Sequence, residues 1–341
     1  MYRILNTDSC EWNQYLSKMP LNLEDIYFTS EYYELDEING DGIAKLFVYY
    51  EDNKIAMYPF ILNRVTNYDL PRDYYDIETA YGYGGPITNC QDEYFLNNFE
   101  ESFVEFCKEN YIVAEFIRFH PLIKNERIFK RKIQVIHNRN TVFLDLTKGI
   151  NKIWKEDINS KNRNVIKKAM KNGLHVEINN DYKMFKLIYK QTMDKVDAND
   201  YYYFDDKYYE SIKENNNCML LSVKRENKVI AIAIFMGYGD YFHYHLAGSL
   251  KDELKFSPNN LLIWEAIKYA VDNEYKIMHF GGGLTDSLDD NLFKFKSRFS
   301  KQYADFYIGK RIHDKEIYSY LINEWENRNN KKATMLLQYR Y

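Results

Sequence analysis

Residues 245–298, HLAGSLKDELKFSPNNLLIWEAIKYAVDNEYKIMHFGGGLTDSLDDNLFKFKSR, decide the fold of this chain. Ser257-Pro258-Asn259 is a typical helix start, because serine is a preferred N-cap and proline fits the first helical turn. The three glycines at 281–283 interrupt regular structure. With the apolar runs on either side, these signals predict five consecutive elements: a strand at 241–249, a helix from Pro258 to about Asn273, a strand at 276–280, a glycine loop and a short helix near Asp289–Phe299.

One lysine of the short helix lies where apolar side chains are expected. Leu292, Phe295 and Phe299 are spaced as the apolar stripe of a helix, and Lys296 falls within that stripe. Burying a lysine costs several kcal/mol unless it is paired or loses its proton. Lys296 is therefore either a functional residue or a lysine whose amine reaches water along the edge of the stripe.

The two halves of the chain show the same order of predicted elements. Each half has a hairpin, a third strand, a loop, a helix and a further strand; the hairpins turn at Glu51-Asp52-Asn53 and at Glu226-Asn227. The helix of the first half is predicted at about Asp92–Asn110. This repeat of element order predicts two packed domains, residues 1–147 and 148–341.

Composition excludes several classes of protein. The chain has 341 residues, a net charge of −4 and a pI of about 6.0, so nothing draws it as a whole to DNA or to an anionic membrane. No apolar run approaches the ~18–20 residues that span a bilayer, and the N-terminus lacks the apolar region of a signal peptide. The four cysteines are scattered, without metal-ligand spacing, which predicts free thiols, no metal site and a cytoplasmic location.

Four segments of the chain carry a resemblance to a known family. The element order of residues 174–310 resembles the GNAT acetyltransferase fold, and the whole chain resembles the Fem family of aminoacyltransferases, which use two GNAT-like domains. The segments are YGYGGP at 81–86, RNVIKKAMKNG at 163–173, SPNNLLIWEAIKYA at 257–270 and LFKFKSRF at 292–299. The resemblance implies an α/β (α+β) fold of two tandem GNAT-like acyltransferase domains, each a mixed sheet flanked by helices.

The resemblance also implies a catalytic centre in the second domain. In the resembling enzymes the lysine of a Phe-Lys-x-x-Phe motif lies at the point of acyl transfer, and here that motif begins with Phe295 and Lys296. The implied role of Lys296 is to hold the acyl donor and to stabilise the negative charge of the tetrahedral intermediate. His243 and His245 alternate along the preceding strand, and His243 is a candidate base for an amine nucleophile.

Two helices of the second domain are candidate anion-binding sites. Ser257 and Asn259 open a helix whose first N–H groups suit a phosphate, although an ordinary capped core helix has the same pattern. Arg163 and Lys167 belong to a basic helix, with no acidic residue between Asp157 and Glu177. They would suit the phosphates of a tRNA acceptor end, a nucleotide-sugar or a lipid headgroup, or they form a solvated face.

The glycine-rich loop of the first domain is a candidate acceptor site. Tyr81 and Tyr83 follow a strand end, and Arg118 and His120 end another strand, where ligand sites of α/β proteins cluster. These side chains suit a sugar or phosphate, or they belong to a tight structural turn. The loop lacks the Arg-Gly-Pro-x-x-Asp pattern of Fem enzymes that build peptidoglycan cross-bridges, and the chain lacks the long helical arm of many Fem members.

These features together predict an N-acyltransferase. It would move an aminoacyl or acyl group to an amine on a cell-envelope precursor or nucleotide-linked amino sugar, with aminoacyl-tRNA or acyl-CoA as co-substrate and no tightly bound cofactor. The basic helix and the missing coenzyme A glycine loop favour tRNA, whereas the missing Arg-Gly-Pro-x-x-Asp pattern and the missing arm favour coenzyme A. The alternative is a non-catalytic binding module for a phosphorylated glycan or precursor.

Overall fold

A computed structural model describes residues 1–131, 133–197 and 202–341 of the chain. Its strands are β1 (Tyr2–Leu5), β2 (Ile43–Glu51), β3 (Lys54–Arg64), β4 (Tyr75–Glu78), β5 (Ile87–Thr88), β6 (Ile112–Arg118), β7 (Gln134–Asp145), β8 (Leu174–Asn179), β9 (Cys218–Arg225), β10 (Lys228–Tyr238), β11 (Tyr241–Ser249), β12 (Ile277–Gly282) and β13 (Gln302–Ile312). Its helices are α1 (Glu11–Leu16), α2 (Ser30–Asn39), α3 (Glu93–Glu109), α4 (Ile150–Lys152), α5 (Ser160–Lys171), α6 (Tyr182–Lys195), α7 (Asp206–Glu214), α8 (Pro258–Asp272), α9 (Asn291–Lys296) and α10 (Lys315–Asn329).

Residue contacts divide the described chain into two compact units. The first comprises Met1–Asn138 and Asp305–Tyr341, and the second comprises Arg139–Ala304. The sequence-based boundary instead assigned Asp305–Tyr341 to the second domain. The C-terminal segment belongs to the first unit because β13 pairs with β6 and α10 packs against β6. These long-range contacts have no signal in the local sequence.

The first unit contains a mixed sheet in the order β1-β2-β3-β4-β6-β13. Neighbours in this order pair antiparallel except β4 and β6, which are parallel. Parallel neighbours need a crossover, and α3 lies in this connection. Helix α3 buries one apolar stripe in the core of the unit: Phe95, Phe99, Phe103 and Phe106.

The second unit repeats this plan with the sheet order β7-β12-β11-β10-β9-β8. Here β11 and β12 are parallel, and the connection between them contains α8. Leu261, Leu262, Ile263, Ala266 and Ile267 of α8 are buried in a core that also takes side chains from β9, β10 and β12. The predicted fold class, with mixed sheets flanked by helices, is therefore confirmed.

Local sequence signals located most of these elements correctly. The hairpins β2–β3 and β9–β10 form at the predicted turns, and Asp52 and Glu226 adopt positive φ angles there. The four cysteines are free thiols, as expected. Within the described ranges, no helix has the length and apolar character that crossing a membrane requires.

Candidate active site

The amine of Lys296 is buried at the end of α9. The residue is 8% exposed, and Nζ donates a hydrogen bond of 2.7 Å to the carbonyl oxygen of Gly282 at the end of β12. Burial lowers the pKa of Lys296 to about 7; the negative charge of Asp290 opposes this effect and the positive charge of Arg139 adds to it. A lysine with this pKa is present in both protonation states near neutral pH.

Helix α9 is short and depends on its cap. The Asp290 carboxylate accepts hydrogen bonds of 2.9 Å from the backbone N–H groups of Leu292 and Phe293. The buried side chains of the helix are Phe293 and Lys296, whereas Leu292 and Phe295 are half-buried. The sequence left open whether the Lys296 amine reaches water, and the structure buries it. The stripe beside it contains Phe293 rather than Leu292, because so short a helix buries a face that spacing alone does not identify.

The two parallel strands of the second unit separate close to this lysine. β11 and β12 pair from Tyr241 to His243, after which β11 continues to Ser249. β12 has a register shift between His279 and Gly281. Beyond it, the pairing of β12 with β7 runs to Gly282, whose carbonyl binds Lys296. Tyr244, just past the last paired residue of β11, places its ring centre 5.9 Å from Nζ of Lys296. The amine therefore lies where the sheet opens.

His243 of β11 lies on the other side of this strand. Because side chains alternate, His243 faces away from the side that carries Tyr244, whereas His245 is the extra residue of a bulge in the pairing with β10. The His243 ring lies 5.5 Å from the His279 ring, and His245 Nε2 is 3.0 Å from the hydroxyl of Tyr208. Burial, helped by the nearby His243, lowers the pKa of His245 to about 3, so His245 is neutral at pH 7. The strand geometry thus separates His243 from Lys296, and a base role for His243 stays a prediction.

The start of α8 differs in detail from the expected serine cap. Ser257 precedes the helix in a left-handed conformation, with φ of 57°, and its side chain makes no capping hydrogen bond. Asn259 donates a hydrogen bond of 3.2 Å to Ser249 Oγ, which ties the first turn of α8 to the end of β11. The structure thus places Ser257 and Asn259 beside the end of β11, and their phosphate-binding role stays a prediction.

The two candidate residues of the basic helix α5 differ in their surroundings. Nη1 of Arg163 donates to three backbone carbonyls, those of Trp154, Lys155 and Ile158, at 3.2, 3.1 and 2.6 Å. These bonds fix the backbone of the segment before α5 and use one nitrogen of the guanidinium. Lys167 is exposed, with Nζ 5.9 Å from the Trp154 ring centre. Substrate binding by α5 stays a prediction, better suited to its exposed lysines than to Arg163.

The four candidates of the first unit are brought together. The ring centres of Tyr83 and His120 are 5.8 Å apart, and both rings contact Tyr27. His120 is fully buried, with Nε2 3.1 Å from an Asp25 carboxylate oxygen. Nδ1 accepts two backbone N–H groups, so the proton resides on Nε2.

The backbone of the same loop is held as tightly as the side chains. The Tyr81 N–H donates to Asp36, and Arg118 pairs with Glu78 at 2.9 Å. A Cβ on Gly82 would lie 2.7 Å from the Tyr27 ring, so this close approach requires glycine. The packing has the features of a tight structural turn, and an acceptor-binding role for Tyr81, Tyr83, Arg118 and His120 stays a prediction.

The glycine loop next to Lys296 yields a test of how α9 is held. A Cβ on Gly283 would lie 2.4 Å from Oδ1 of Asp290, the capping carboxylate. We expect Gly283→Ala to displace this cap, at a cost of about 1 kcal/mol, and to lower activity because α9 carries Lys296. Thermal denaturation should show a Tm lower by roughly 2–4 °C. Leu284→Ala, which shortens an exposed side chain of the same loop, is the control; equal losses in both variants would contradict the role of the cap.

Sequence reasoning missed two of the three residues around Lys296. Arg139 and Tyr244 come from other strands, and no local motif marks them. Asp290 had a detectable signal, since an aspartate just before a short apolar helix is a typical N-cap, but its closeness to the lysine follows only from the folded turn. The geometry therefore adds a polar surrounding to a lysine that the sequence had singled out.

Comparisons with known proteins show which proteins this sequence resembles. Residues 160–296 match the family model described as "Acetyltransferase (GNAT) domain". UDP-N-acetylmuramoylpentapeptide-lysine N(6)-alanyltransferase of Weissella viridescens is 24% identical over 304 residues, which cover 81% of this chain and 87% of the relative.

Solved structures show the same fold over nearly the whole chain. The crystal structure of FemX has a TM-score of 0.72 at 15% identity and covers 94% of this chain and 99% of its own. The structure of L-PGS from Bacillus licheniformis has a TM-score of 0.55 at 13% identity, with 90% and 92% covered. The chain is accordingly an acyltransferase whose residues 160–296 match the GNAT domain model, and it is similar to the Fem-type aminoacyltransferases.

Proposed function

We propose that this chain transfers an aminoacyl group from aminoacyl-tRNA to an amine of a peptidoglycan precursor, and that Lys296 is its catalytic residue. The observation that carries the proposal is the buried amine of Lys296, hydrogen-bonded to Gly282 where β11 and β12 separate. An ammonium has three N–H donors, so two remain beyond the Gly282 bond for a developing oxyanion.

The acceptor is inferred from the Weissella viridescens relative. Its name states that it adds an alanyl group to N6 of the lysine in UDP-N-acetylmuramoylpentapeptide. The alignment covers most of both chains, so we assign this chain the same class of acceptor, a nucleotide-linked muramoyl pentapeptide with a free side-chain amine. The glycine loop at 81–86, without the Arg and Asp of other Fem enzymes, fits a difference in how the acceptor is held rather than in its class.

The donor is inferred from two surfaces of the second unit. The turn before α8 has Lys255-Phe256-Ser257-Pro258 in place of the glycines that let a backbone approach a coenzyme A pyrophosphate. Helix α5 exposes a set of lysines suited to the phosphates of a nucleic acid: Lys161, Lys167, Lys168 and Lys171. Both features favour a tRNA ester over a coenzyme A thioester.

The proposed reaction follows from the charge on Lys296. The neutral acceptor amine attacks the ester carbonyl, and the Lys296 ammonium stabilises the tetrahedral oxyanion. The amide C–N bond forms as the ester C–O bond breaks, and the proton lost by the attacking amine balances the one gained by the departing ribose hydroxyl. Positioning of donor and acceptor provides most of the remaining rate enhancement.

A reconstituted assay tests the proposal directly. The full chain is incubated with UDP-N-acetylmuramoyl pentapeptide and either alanyl-tRNA or acetyl-CoA, and the acceptor is analysed by mass spectrometry. We expect an alanyl adduct from the charged tRNA. Acetylation from acetyl-CoA alone would overturn the assignment of the donor, and no transfer from any donor tried to this acceptor would overturn that of the acceptor.

A matched pair of variants extends this assay to α5. Lys168→Gln should raise the KM for tRNA and weaken its salt dependence, because a phosphate contact is lost, while kcat stays unchanged. Lys213→Gln, which removes an exposed charge from α7, is the control and should leave both values unchanged. Equal effects of the two variants would argue against binding at α5.

A further inference from the structure

Two cations grip consecutive carbonyls of the loop that follows β12. Lys296 donates to the Gly282 oxygen at 2.7 Å, and Nη1 of Arg139 donates to the oxygens of Gly283 and Leu284 at 2.8 and 3.0 Å. Arg139 lies on β7, beside β12 in the sheet. The loop that positions the Lys296 amine is thus itself held from the neighbouring strand.

An anion holds the other side of the same loop. One oxygen of Asp290 accepts the backbone N–H of Thr285 at 3.3 Å, and the other accepts the N–H groups of Leu292 and Phe293 at 2.9 Å. A single carboxylate therefore connects the loop to the first turn of α9, the helix that carries Lys296. We call Arg139, Asp290 and Lys296 the charged clasp.

The charges in the clasp act on the Lys296 amine in opposite directions. Burial lowers the pKa of Lys296 most; the charge of Asp290 opposes this effect, and the charge of Arg139 adds to it. Tyr244, which faces the amine from β11, is neutral because burial raises its pKa above the ordinary value. Backbone N–H groups hold the pKa of Asp290 below its ordinary value despite partial burial, so Asp290 is ionised at neutral pH.

We propose that Arg139 and Asp290 are positioning residues for acyl transfer, which hold the loop from Gly282 to Thr285 and thereby set both the direction and the charge of the Lys296 amine. This inference rests on the proposed catalytic role of Lys296. Arg139 fixes the carbonyl side of the loop, and Asp290 fixes its amide side together with α9. Neither side chain needs to touch the substrate for its loss to impair the reaction.

Competitive labelling of lysines tests the charge balance without any substrate. The full chain is treated at a series of pH values with a trace of an amine-reactive acylating reagent, and labelling of the Lys296 peptide is measured by mass spectrometry. Asp290→Asn should move the labelling midpoint down by roughly one pH unit, and Arg139→Gln should move it up by a similar amount. Asparagine is as good an N-cap as aspartate, so Asp290→Asn keeps the helix cap while removing the charge.

Asp289→Asn is the matched control for the Asp290 variant. Asp289 is exposed and pairs with Lys294 at 2.8 Å on the outer face of α9, so its loss should leave the Lys296 midpoint unchanged. Arg139→Lys keeps the charge but not the two-carbonyl grip, so the midpoint should remain while kcat falls. If the Arg139→Gln variant does not fold, Arg139→Lys still tests whether Arg139 positions the loop.

The outcomes separate the clasp from the proposed function. Unshifted midpoints in Asp290→Asn and in Arg139→Gln, or shifts in the same direction, would overturn the charge balance. Unchanged kcat and KM in Arg139→Lys would overturn positioning by Arg139. If the midpoints shift as expected but Lys296→Ala remains active, the charge balance stands and the catalytic role of Lys296 fails.

Discussion

Lys296→Ala is expected to lower kcat for acyl transfer by about 100- to 1000-fold, the range found when one donor to a developing oxyanion is removed. The expected loss follows from the position of the amine, buried at the opening of the sheet and held by Gly282. The variant should fold, because removing a buried charge relieves a desolvation penalty. Steady-state kinetics with saturating donor and acceptor, together with a thermal melt, measure both expectations.

Lys294→Ala is the control, since Lys294 is exposed on the same helix and pairs only with the exposed Asp289 among the described ion pairs. It should retain full activity. Because the pKa of Lys296 is about 7, wild-type kcat should fall as pH rises above this value and the ammonium is lost. A Lys296→Ala variant with wild-type kcat would refute catalysis by this lysine.

The lowered pKa of Lys296 also makes the stability of the protein depend on pH. The folded-state pKa of about 7 lies below the ordinary value of 10.5, so between these values the unfolded chain binds more protons than the folded one. Stability contributed by this residue therefore rises with pH across that window. The Lys296→Ala variant has no buried ammonium and therefore avoids this loss of stability at neutral pH. Its free energy of unfolding should exceed that of the wild type by less and less as the pH rises from about 7 to 10.5.

The sequence predicted the features that local patterns encode. The turns at Asp52 and Glu226, the helix that starts at Pro258 and the position of Lys296 on an apolar helix face all follow from signals a few residues long. The arrangement around Lys296 does not, because Arg139 reaches the glycine loop from a strand far away in the chain. Arg163 illustrates the converse: a basic residue in a basic helix suggested a ligand, whereas its nearest acceptors are backbone carbonyls of the preceding segment.

Local sequence patterns also could not predict which unit contains the C-terminal segment. Residues Asp305–Tyr341 follow the second unit in sequence, but β13 pairs with β6 of the first unit. The pairing sets Arg311 directly opposite Glu115 in the register, so two charged residues that look exposed in their own strands become a buried ion pair. Alternation along β13 predicts which side chains share a face of the sheet. It does not predict that Arg311 will lie next to an acidic residue of another strand.

This buried ion pair belongs to a network of charged residues in the first unit, and we expect its disruption to lower the stability of the protein strongly. Arg311 is 2% exposed, and its Nη2 lies 2.7 Å from a carboxylate oxygen of Glu100. Its Nε lies 3.8 Å from Glu115, which also binds His313 at 2.8 Å. Burial acts to raise the pKa of Glu115, but Arg311 and His313 outweigh it and hold this pKa below the ordinary value.

Arg311→Met should therefore destabilise the protein by about 3–5 kcal/mol, because it removes the arginine cation that the buried carboxylates of Glu100 and Glu115 share. Chemical denaturation at pH 7 measures the loss, and Arg64→Met is the control, since its exposed ion pair with Asp73 should contribute less than about 1 kcal/mol.

The effect of Arg311 on stability should also depend on pH. In the wild type, the contribution of Glu115 is present above the unfolded pKa and is lost as pH falls through the lower folded pKa. In the variant, burial without the Arg311 charge favours the protonated form of Glu115, so the difference in stability between the two proteins should narrow toward acid pH. A difference that stays constant from pH 7 to pH 4 would show that Arg311 stabilises the fold through packing on Phe129, whose ring centre lies 4.6 Å from its guanidinium, rather than through charge.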